Sequence, residues 1–245
     1  MRVTNMGDFL RRRVELVLIC ILVVLVALLY ETRGKAHRVT EAEGGGGLVL
    51  ILDAGHGGED AGAIGVNGVY EKDLNLQIAY RLAALAEEAG YSVLMTRTDD
   101  RLLYKEEENI KGHRKEYDLK NRLEISEQYP TGILISIHMN SFSSSRYSGL
   151  QVWYAETEGS MALAQSIQGE VKKQLQPDNH RAIKAAGSSM YLLYHSTHAA
   201  VLIECGFLSH EQECALLTTE NYQKELSYAI FCGIMEYVKK LDSTS

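Results

Sequence analysis

Cysteine is scarce in this sequence and irregularly placed. Of the four cysteines among 245 residues, Cys20 lies inside an apolar run, and the other three are Cys205, Cys214 and Cys232. These three form an odd set without a CxxC pair, so neither a disulfide framework nor a structural zinc knuckle is indicated. We therefore expect them to be buried thiols that pack as small apolar side chains.

A dense basic patch is also missing. The formal net charge of the chain is −7, and because residues 1–30 carry a net +2, the remainder carries −9. An acidic domain of this kind argues against nucleic acid as a partner. With 46% hydrophobic and 23% charged residues, and without an internal repeat, the composition is that of one globular domain rather than a disordered or fibrous chain.

The chain has one long uncharged apolar run, Leu16 to Tyr30, which follows Arg11 to Arg13. The run is somewhat shorter than the roughly 20 residues of a spanning helix. No small-x-small triplet lies just past Tyr30, which favours an uncleaved anchor over a cleaved signal peptide. The arginines predict a cytoplasmic N-terminus, with the rest of the chain outside. We expect residues 1–30 to be a membrane anchor or signal segment and residues 31–47, which end in four glycines, to be a flexible linker.

Short apolar runs alternate with helical patterns after residue 47. Glu71–Glu88 places Leu74, Ile78 and Leu82 on one stripe, and Gly90 follows as a stop, which predicts a helix. Further helices are predicted over Asp118–Gln128, Gly159–Leu175 and about Tyr222–Lys240. Strands are predicted at Leu48–Asp53, Tyr91–Arg97, Gly132–His138, Gly149–Tyr154, Met190–Tyr194 and Ala199–Glu204. This alternation predicts an α/β fold in a single domain, with a mostly parallel, about six-stranded sheet covered by helices on both faces.

Three predicted strands end in chemically active side chains. Asp53–His56 follows the first strand, His138–Ser141 (HMNS) follows the third, and Glu204 ends the last. In parallel sheets the functional groups collect at the carboxyl edge, where loops leave the rigid scaffold. We expect these groups to converge.

The glycine-rich loop LDAGHGGED, Leu52–Asp60, is compatible with two kinds of site on first inspection. A dinucleotide loop is excluded, because Asp60 stands where the third glycine belongs, no helix begins before about Glu71, and the acidic neighbours would repel a phosphate. A metal site is chemically plausible, since two histidines and a carboxylate are donors of catalytic zinc. The spacing H-x14-E-x66-H of His56, Glu71 and His138 matches no compact metal motif, so the residues alone leave the metal open.

Four segments resemble, in order and spacing, the signature blocks of zinc-dependent N-acetylmuramoyl-L-alanine amidases, the amidase 3 family. They are LDAGHGGEDAGAIG, EKDLNLQIAYRL, ISIHMNS and VLIECGFLSHEQECALL, and the resemblance runs from about Leu48 to Lys240. The stretch KGHRKEYDLKNRLEIS is similar to the germination-specific, spore-cortex members. Ala54 and His210 stand where many members have proline and asparagine, at positions that carry none of the implied chemistry. Residues 48–241 are therefore interpreted as a zinc amidase catalytic domain.

The resemblance implies that His56, Glu71 and His138 bind Zn²⁺ and that Glu204 is the catalytic carboxylate. The implied reaction is hydrolysis of the amide bond between N-acetylmuramic acid and L-alanine in peptidoglycan. Likeness to the spore-cortex members further implies a role in preparing muramic acid for δ-lactam formation, with a peptidoglycan deacetylase as functional partner. The expected location is extracytoplasmic, either attached to the cytoplasmic membrane or secreted to the wall or cortex.

Other residues keep two interpretations. Asn140 and Ser141 are candidates for holding substrate, or they form an ordinary turn after the strand. Arg181 matches a basic position of the family and is a candidate contact for the acidic stem peptide, or it lies in a solvated loop. Asp53 is expected to shape the His56 loop or to bond an imidazole. Two rival functions stay open, a zinc peptidase that cuts within the stem peptide and a non-catalytic wall-binding module.

Overall fold

The apolar run at the start of the domain forms the first strand, β1 (Val49–Ala54), which is buried along its whole length. A computed structural model describes residues 47–243. Val49 and Ile51 pack into one core, and Leu50 and Leu52 pack into another on the opposite face of the sheet. A strand covered on both faces explains why its sequence is continuously apolar. The predicted anchor, and the predicted linker up to residue 46, lie outside the described residues.

The described chain contains six strands, six helices and a short 3-10 turn at Glu106–Glu108. The strands are β1 (Val49–Ala54), β2 (Ser92–Met95), β3 (Ile133–Asn140), β4 (Gln151–Tyr154), β5 (Lys184–Ala185) and β6 (Ala200–Phe207). The helices are α1 (Glu71–Glu88), α2 (Arg114–Glu127), α3 (Ser160–Gln174), α4 (Tyr191–His195), α5 (Glu211–Leu217) and α6 (Glu220–Asp242).

The four helices predicted from periodicity are present. Helix α1 has the predicted bounds, and Leu74, Ile78 and Leu82 are buried on its stripe. Helix α2 begins four residues before the predicted start at Asp118. Helix α5 was not predicted; it begins after His210, whose imidazole accepts a hydrogen bond from the backbone N–H of Glu213.

The sheet has the strand order β2-β1-β3-β6-β4-β5. The first four strands of this order run parallel, whereas β4 runs antiparallel to β6 and β5 runs parallel to β4. The sheet is therefore mixed, which corrects the prediction of a mostly parallel sheet. The reason is that no helix lies between β3 and β4. A strand parallel to β3 would need a crossover connection back to the opposite edge of the sheet. Without one, the chain enters β4 from the edge at which β3 ends, so β4 runs in the opposite direction.

The run Met190–Tyr194 was wrongly predicted as a strand. It forms the short helix α4, and the sixth strand is instead β5, which has two residues and was missed. A short apolar run that is buried looks the same in sequence whether it is helical or extended. A two-residue edge strand has too little pattern to detect.

Helices cover both faces of the sheet, as predicted. The larger core lies against α1, α3 and α6, and the smaller core lies against α2 and α4. Cys205 and Cys214 are buried free thiols as expected, and Cys232 is partly buried. No helix within residues 47–243 is long and apolar enough to cross a membrane.

Candidate metal centre

His56, Glu71 and His138 come together at the carboxyl edge of β1 and β3. One ligand atom from each lies within 4.8 Å of the other two. Nε2 of His56 is 3.2 Å from Oε1 of Glu71, and Nδ1 of His138 is 2.9 Å from the same oxygen. The two imidazole rings stand edge to face with centroids 4.9 Å apart. Two imidazole nitrogens and a carboxylate oxygen thus face one point, although 66 residues separate Glu71 from His138 in sequence.

The loop that carries His56 has an unfavourable backbone conformation. His56 has φ +63°, and no other non-glycine residue in the described chain has a positive φ. Arg122 supports this conformation, because its guanidinium donates to the carbonyl oxygens of Ala54 (2.8 Å) and His56 (2.7 Å). Arg97 donates to the carbonyls of Ala54 and Gly55 at 2.7 and 3.1 Å. Two buried arginines therefore hold the backbone of the loop in place.

Asp53 anchors Arg122 and is almost fully buried. Its carboxylate accepts hydrogen bonds from Arg122 (2.7 Å), Thr96 (2.7 Å) and Ser136 (2.6 Å). Burial alone would raise the pKa of Asp53, but the charge of Arg122 and these hydrogen bonds outweigh it and lower the pKa from 3.8 to about 2. Asp53 therefore shapes the His56 loop through Arg122, and no hydrogen bond joins it to an imidazole of the described chain.

The carboxylate at Nδ1 of His56 is that of Asp60, which the sequence reasoning missed. Oδ2 of Asp60 is 2.8 Å from Nδ1 of His56 and 2.9 Å from Nζ of Lys115. Burial alone would lower the pKa of His56, but the hydrogen bonds to Asp60 and Glu71 and their charges raise it to about 9. The contact at Nδ1 leaves Nε2 directed at Glu71. Asp53 and Asp60 both lie near His56 in sequence. The path of the loop decides which of the two carboxylates reaches the imidazole ring.

Glu71 is the first residue of α1 and is held on both oxygens. Its Oε2 accepts the backbone N–H of Ala63 (2.8 Å), and its Oε1 accepts that of Met139 (3.1 Å). Burial would raise the pKa of Glu71, but the hydrogen bonds and charges of the two histidines lower it well below its usual range. Gly62 must be a glycine here, because it has φ +67° and an added Cβ would lie 2.5 Å from Oε2 of Glu71.

Glu204 is the strand partner of His138 in the β3–β6 pairing, so both side chains lie at the same edge of the sheet. Oε2 of Glu204 is buried and has no hydrogen-bond partner within residues 47–243. Burial raises the pKa of Glu204 to about 7; the charge of Glu71 acts in the same direction, and His138 and His56 oppose it. A carboxyl with this pKa exchanges protons readily at neutral pH.

A cavity of about 240 Å³ contains His56, His138 and Glu204 together. Its apolar wall comes from α2 and the segment around α4 and includes Leu119, Met190 and Leu193. This wall lowers the local polarity around the carboxylate and imidazoles. The segment Met190–Tyr194, which was predicted as a strand, therefore lines the site as part of a helix.

Three residues predicted to bind substrate lie outside the lining of this cavity. Asn140 is the last residue of β3, not part of a turn, and Ser141 follows it and is exposed. Arg181 lies in the loop after α3, where its guanidinium stacks 4.7 Å above the Phe207 ring. Their role in binding substrate stays a prediction. His195 is exposed on α4 and is not part of the metal cluster.

Comparison with known proteins places this geometry in context. The amidase 3 family, described as N-acetylmuramoyl-L-alanine amidase, matches residues 50–236. The germination-specific N-acetylmuramoyl-L-alanine amidase of Bacillus subtilis (strain 168) is 36% identical over 195 residues, which are 78% of this chain and 80% of that protein.

Two solved structures are also similar. The CwlD amidase from Clostridioides difficile, solved in complex with the GerS lipoprotein, is 42% identical with a TM-score of 0.75, covering 78% of this chain and 98% of that one. The catalytic domain of CwlV, an N-acetylmuramoyl-L-alanine amidase from Bacillus (Paenibacillus) polymyxa var. colistinus, is 30% identical with a TM-score of 0.66, covering 79% of this chain and 99% of that one.

Proposed function

The chain belongs to the N-acetylmuramoyl-L-alanine amidase family, and from that premise we propose that it is a zinc-dependent amidase of spore-cortex peptidoglycan. In this proposal His56, Glu71 and His138 hold the zinc, and Glu204 is the catalytic carboxylate. The observation that carries the proposal is the convergence of the three donor atoms within 4.8 Å, beside a cavity lined by His56, His138 and Glu204.

The residues present fit a zinc ion. Catalytic zinc sites take three protein ligands from histidine and acidic residues and keep one position open. The cluster has this composition, and Asp60 at Nδ1 of His56 favours the tautomer that leaves Nε2 available as a ligand. When bound, zinc would supply Lewis acidity to the substrate carbonyl and to the attacking water.

Glu204 moves the proton in this proposal. Its pKa of about 7 allows the carboxylate to accept a proton from the attacking water and to return it to the amine nitrogen of L-alanine as the amide bond breaks. The unpartnered oxygen Oε2 leaves a hydrogen-bonding position free for that purpose. The apolar side chains of Leu119 and Leu193 line the same cavity.

Digestion of peptidoglycan tests the reaction. Mass analysis of the products should find free peptides that begin with L-alanine, together with intact glycan. Cleavage at an internal peptide bond would instead support the rival zinc peptidase and contradict the proposal.

Paired substitutions test the residue roles. We expect Glu204→Ala to retain zinc in elemental analysis while losing cleavage, and His138→Ala to lose both. Glu211→Ala and His113→Ala are matched controls, because Glu211 and His113 are exposed and do not line the cavity. Cleavage at the native rate by Glu204→Ala would show that the proposed proton carrier is wrong.

The biological setting is inferred from the relatives. The similarity to a germination-specific amidase and to CwlD supports a role in the spore cortex, leading to muramic δ-lactam. We expect an extracytoplasmic location, with membrane attachment resting on the predicted segment within residues 1–30. A peptidoglycan deacetylase is the first candidate partner. A lipoprotein is the second, because the similar CwlD amidase was solved in complex with one.

A further inference from the structure

Helix α5, which was not predicted from the sequence, carries a buried carboxylate that bonds the strand of Glu204. This carboxylate belongs to Glu213, which is 7% exposed. Its Oε2 accepts the backbone N–H of Phe207 on β6 at 2.7 Å, and its Oε1 accepts that of Gly149, just before β4, at 2.8 Å. Both oxygens are therefore bonded to backbone, and the hydrolysis described above gives Glu213 no role.

The pairing of β3 with β6 is irregular immediately after Glu204. His138 on β3 pairs with Glu204 on β6. The next pair joins Asn140, two residues further along β3, to Phe207, three residues further along β6. One extra residue of β6 is thus inserted directly after Glu204, which makes a β-bulge. A bulge bends its strand and re-aims the neighbouring side chains, and bulges between parallel strands are rare.

Glu213 supports the backbone on two sides of Glu204. Phe207, whose N–H it accepts, is the first paired residue after the bulge. Gly149, whose N–H it also accepts, lies two residues before Gln151, the antiparallel partner of Glu204 on β4. One carboxylate therefore fixes both the continuation of the strand that carries Glu204 and the start of the neighbouring strand.

Gly206, which lies within the bulge, makes room for this carboxylate. An added Cβ would lie 2.8 Å from Cδ and 2.9 Å from Oε1 of Glu213, and its three nearest atoms all belong to that side chain. Gly206 does not have a positive φ, so the backbone conformation does not require a glycine here. The close approach of Glu213 to the bulge requires it instead.

We infer that Glu213 is a positioning residue, which holds the bulge and thereby aims Glu204 at the candidate metal cluster. The inference rests on the proposed function, in which Glu204 carries the proton. Glu213 acts through the backbone, because it does not line the cavity of Glu204 and both of its oxygens bond N–H groups. A misplacement of about 1 Å in a catalytic site can cost about 100-fold in rate.

Glu213→Gln tests the positioning while the size of the side chain is unchanged. The amide keeps one acceptor oxygen but presents an NH₂ donor to the other backbone N–H. We expect kcat for cleavage of a muramoyl peptide to fall by roughly 10- to 100-fold, with KM and the zinc affinity in a chelator titration unchanged. Glu211→Gln is the matched control, because Glu211 is exposed on the same helix; it should leave kcat unchanged.

Gly206→Ala is the second variant, and it is judged by the same measurements if Glu213→Gln does not fold. It keeps the carboxylate but displaces it, so kcat should fall as in Glu213→Gln. In a Glu213→Ala background the same substitution should cause no additional fall, because the atoms nearest to the new Cβ are gone. Additive effects of the two substitutions would contradict the inference.

Crystal structures of the native protein and Glu213→Gln measure the position of Glu204 without turnover. The carboxylate of Glu204 should move by roughly 1 Å relative to His138 in the variant. A Glu204 that does not move, a loss of stability with kcat of the folded protein unchanged, or a rise in KM alone would overturn the inference. If the native protein cleaves no muramoyl amide yet Glu204 moves as expected, the proposed reaction fails and the positioning by Glu213 stands.

Discussion

The buried pair of Asp53 and Arg122 offers a quantitative test of how the His56 loop is held. Asp53→Asn preserves the size of the side chain and one oxygen acceptor but removes the charge that faces Arg122 at 2.7 Å. Among the described residues, Arg122 then retains only Asp118 as an ionic partner. We expect the free energy of unfolding to fall. We also expect the position of the His56 carbonyl, which accepts a hydrogen bond from Arg122, to become less well defined.

The magnitude follows from the pKa of Asp53, which lies at about 2 in the folded protein against 3.8 for an unperturbed group. Lowering the pKa by this much corresponds to roughly 2 to 3 kcal/mol of stability. Because the folded-state pKa is lowered, this stabilisation is fully present above pH 3.8 and is lost as the pH falls through about 2. The native protein and Asp53→Asn should therefore differ by roughly 2 to 3 kcal/mol at pH 7 and by about half of that at pH 3.

Urea unfolding at the two pH values, with a chelator present so that metal binding does not contribute, measures this difference. Asp99→Asn is the matched control, because Asp99 forms an ion pair with Arg101 that is exposed on both sides. Its effect should stay within about 0.5 kcal/mol. A difference for Asp53→Asn no larger than that of the control, or one that is undiminished at pH 3, would refute the reasoning.

Further predictions concern the candidate metal centre. Asp60→Ala should weaken zinc binding by roughly 10- to 100-fold in a competitive chelator titration, because Nδ1 of His56 loses its partner; an unchanged affinity would exclude Asp60 as the residue that orients the ring. Gly62→Ala should abolish zinc binding, since the new Cβ would lie 2.5 Å from Oε2 of Glu71 and 2.8 Å from Cδ2 of His56. Gly68→Ala shares a positive φ, but no atom of the described residues lies within 4 Å of the new Cβ, so it should cost only about 1 kcal/mol of stability in urea unfolding and retain zinc. Equal zinc loss in both glycine variants would contradict the contact argument.

Local pattern was sufficient for the elements with a long or repeated signal. The stripe of Leu74, Ile78 and Leu82 and the apolar run of β1 depend only on helical and strand periodicity, which the sequence contains directly. Local pattern predicts neither the direction of β4 nor the helical conformation of Tyr191–His195. The first depends on how the chain crosses from β3, and the second on packing against the smaller core.

The residue types of the candidate site can be seen from the sequence alone: two histidines and a carboxylate that suit a metal, and Glu204 at the end of a strand. Which of these side chains meet, and how they are supported, depends on the folded chain. Asp60 rather than Asp53 reaches His56, and Arg122 holds the loop from another helix. These contacts join residues that are 4 and 66 positions apart. Side-chain chemistry is local to each residue, whereas distance and burial, which set the pKa of Glu204, exist only once the strands are side by side.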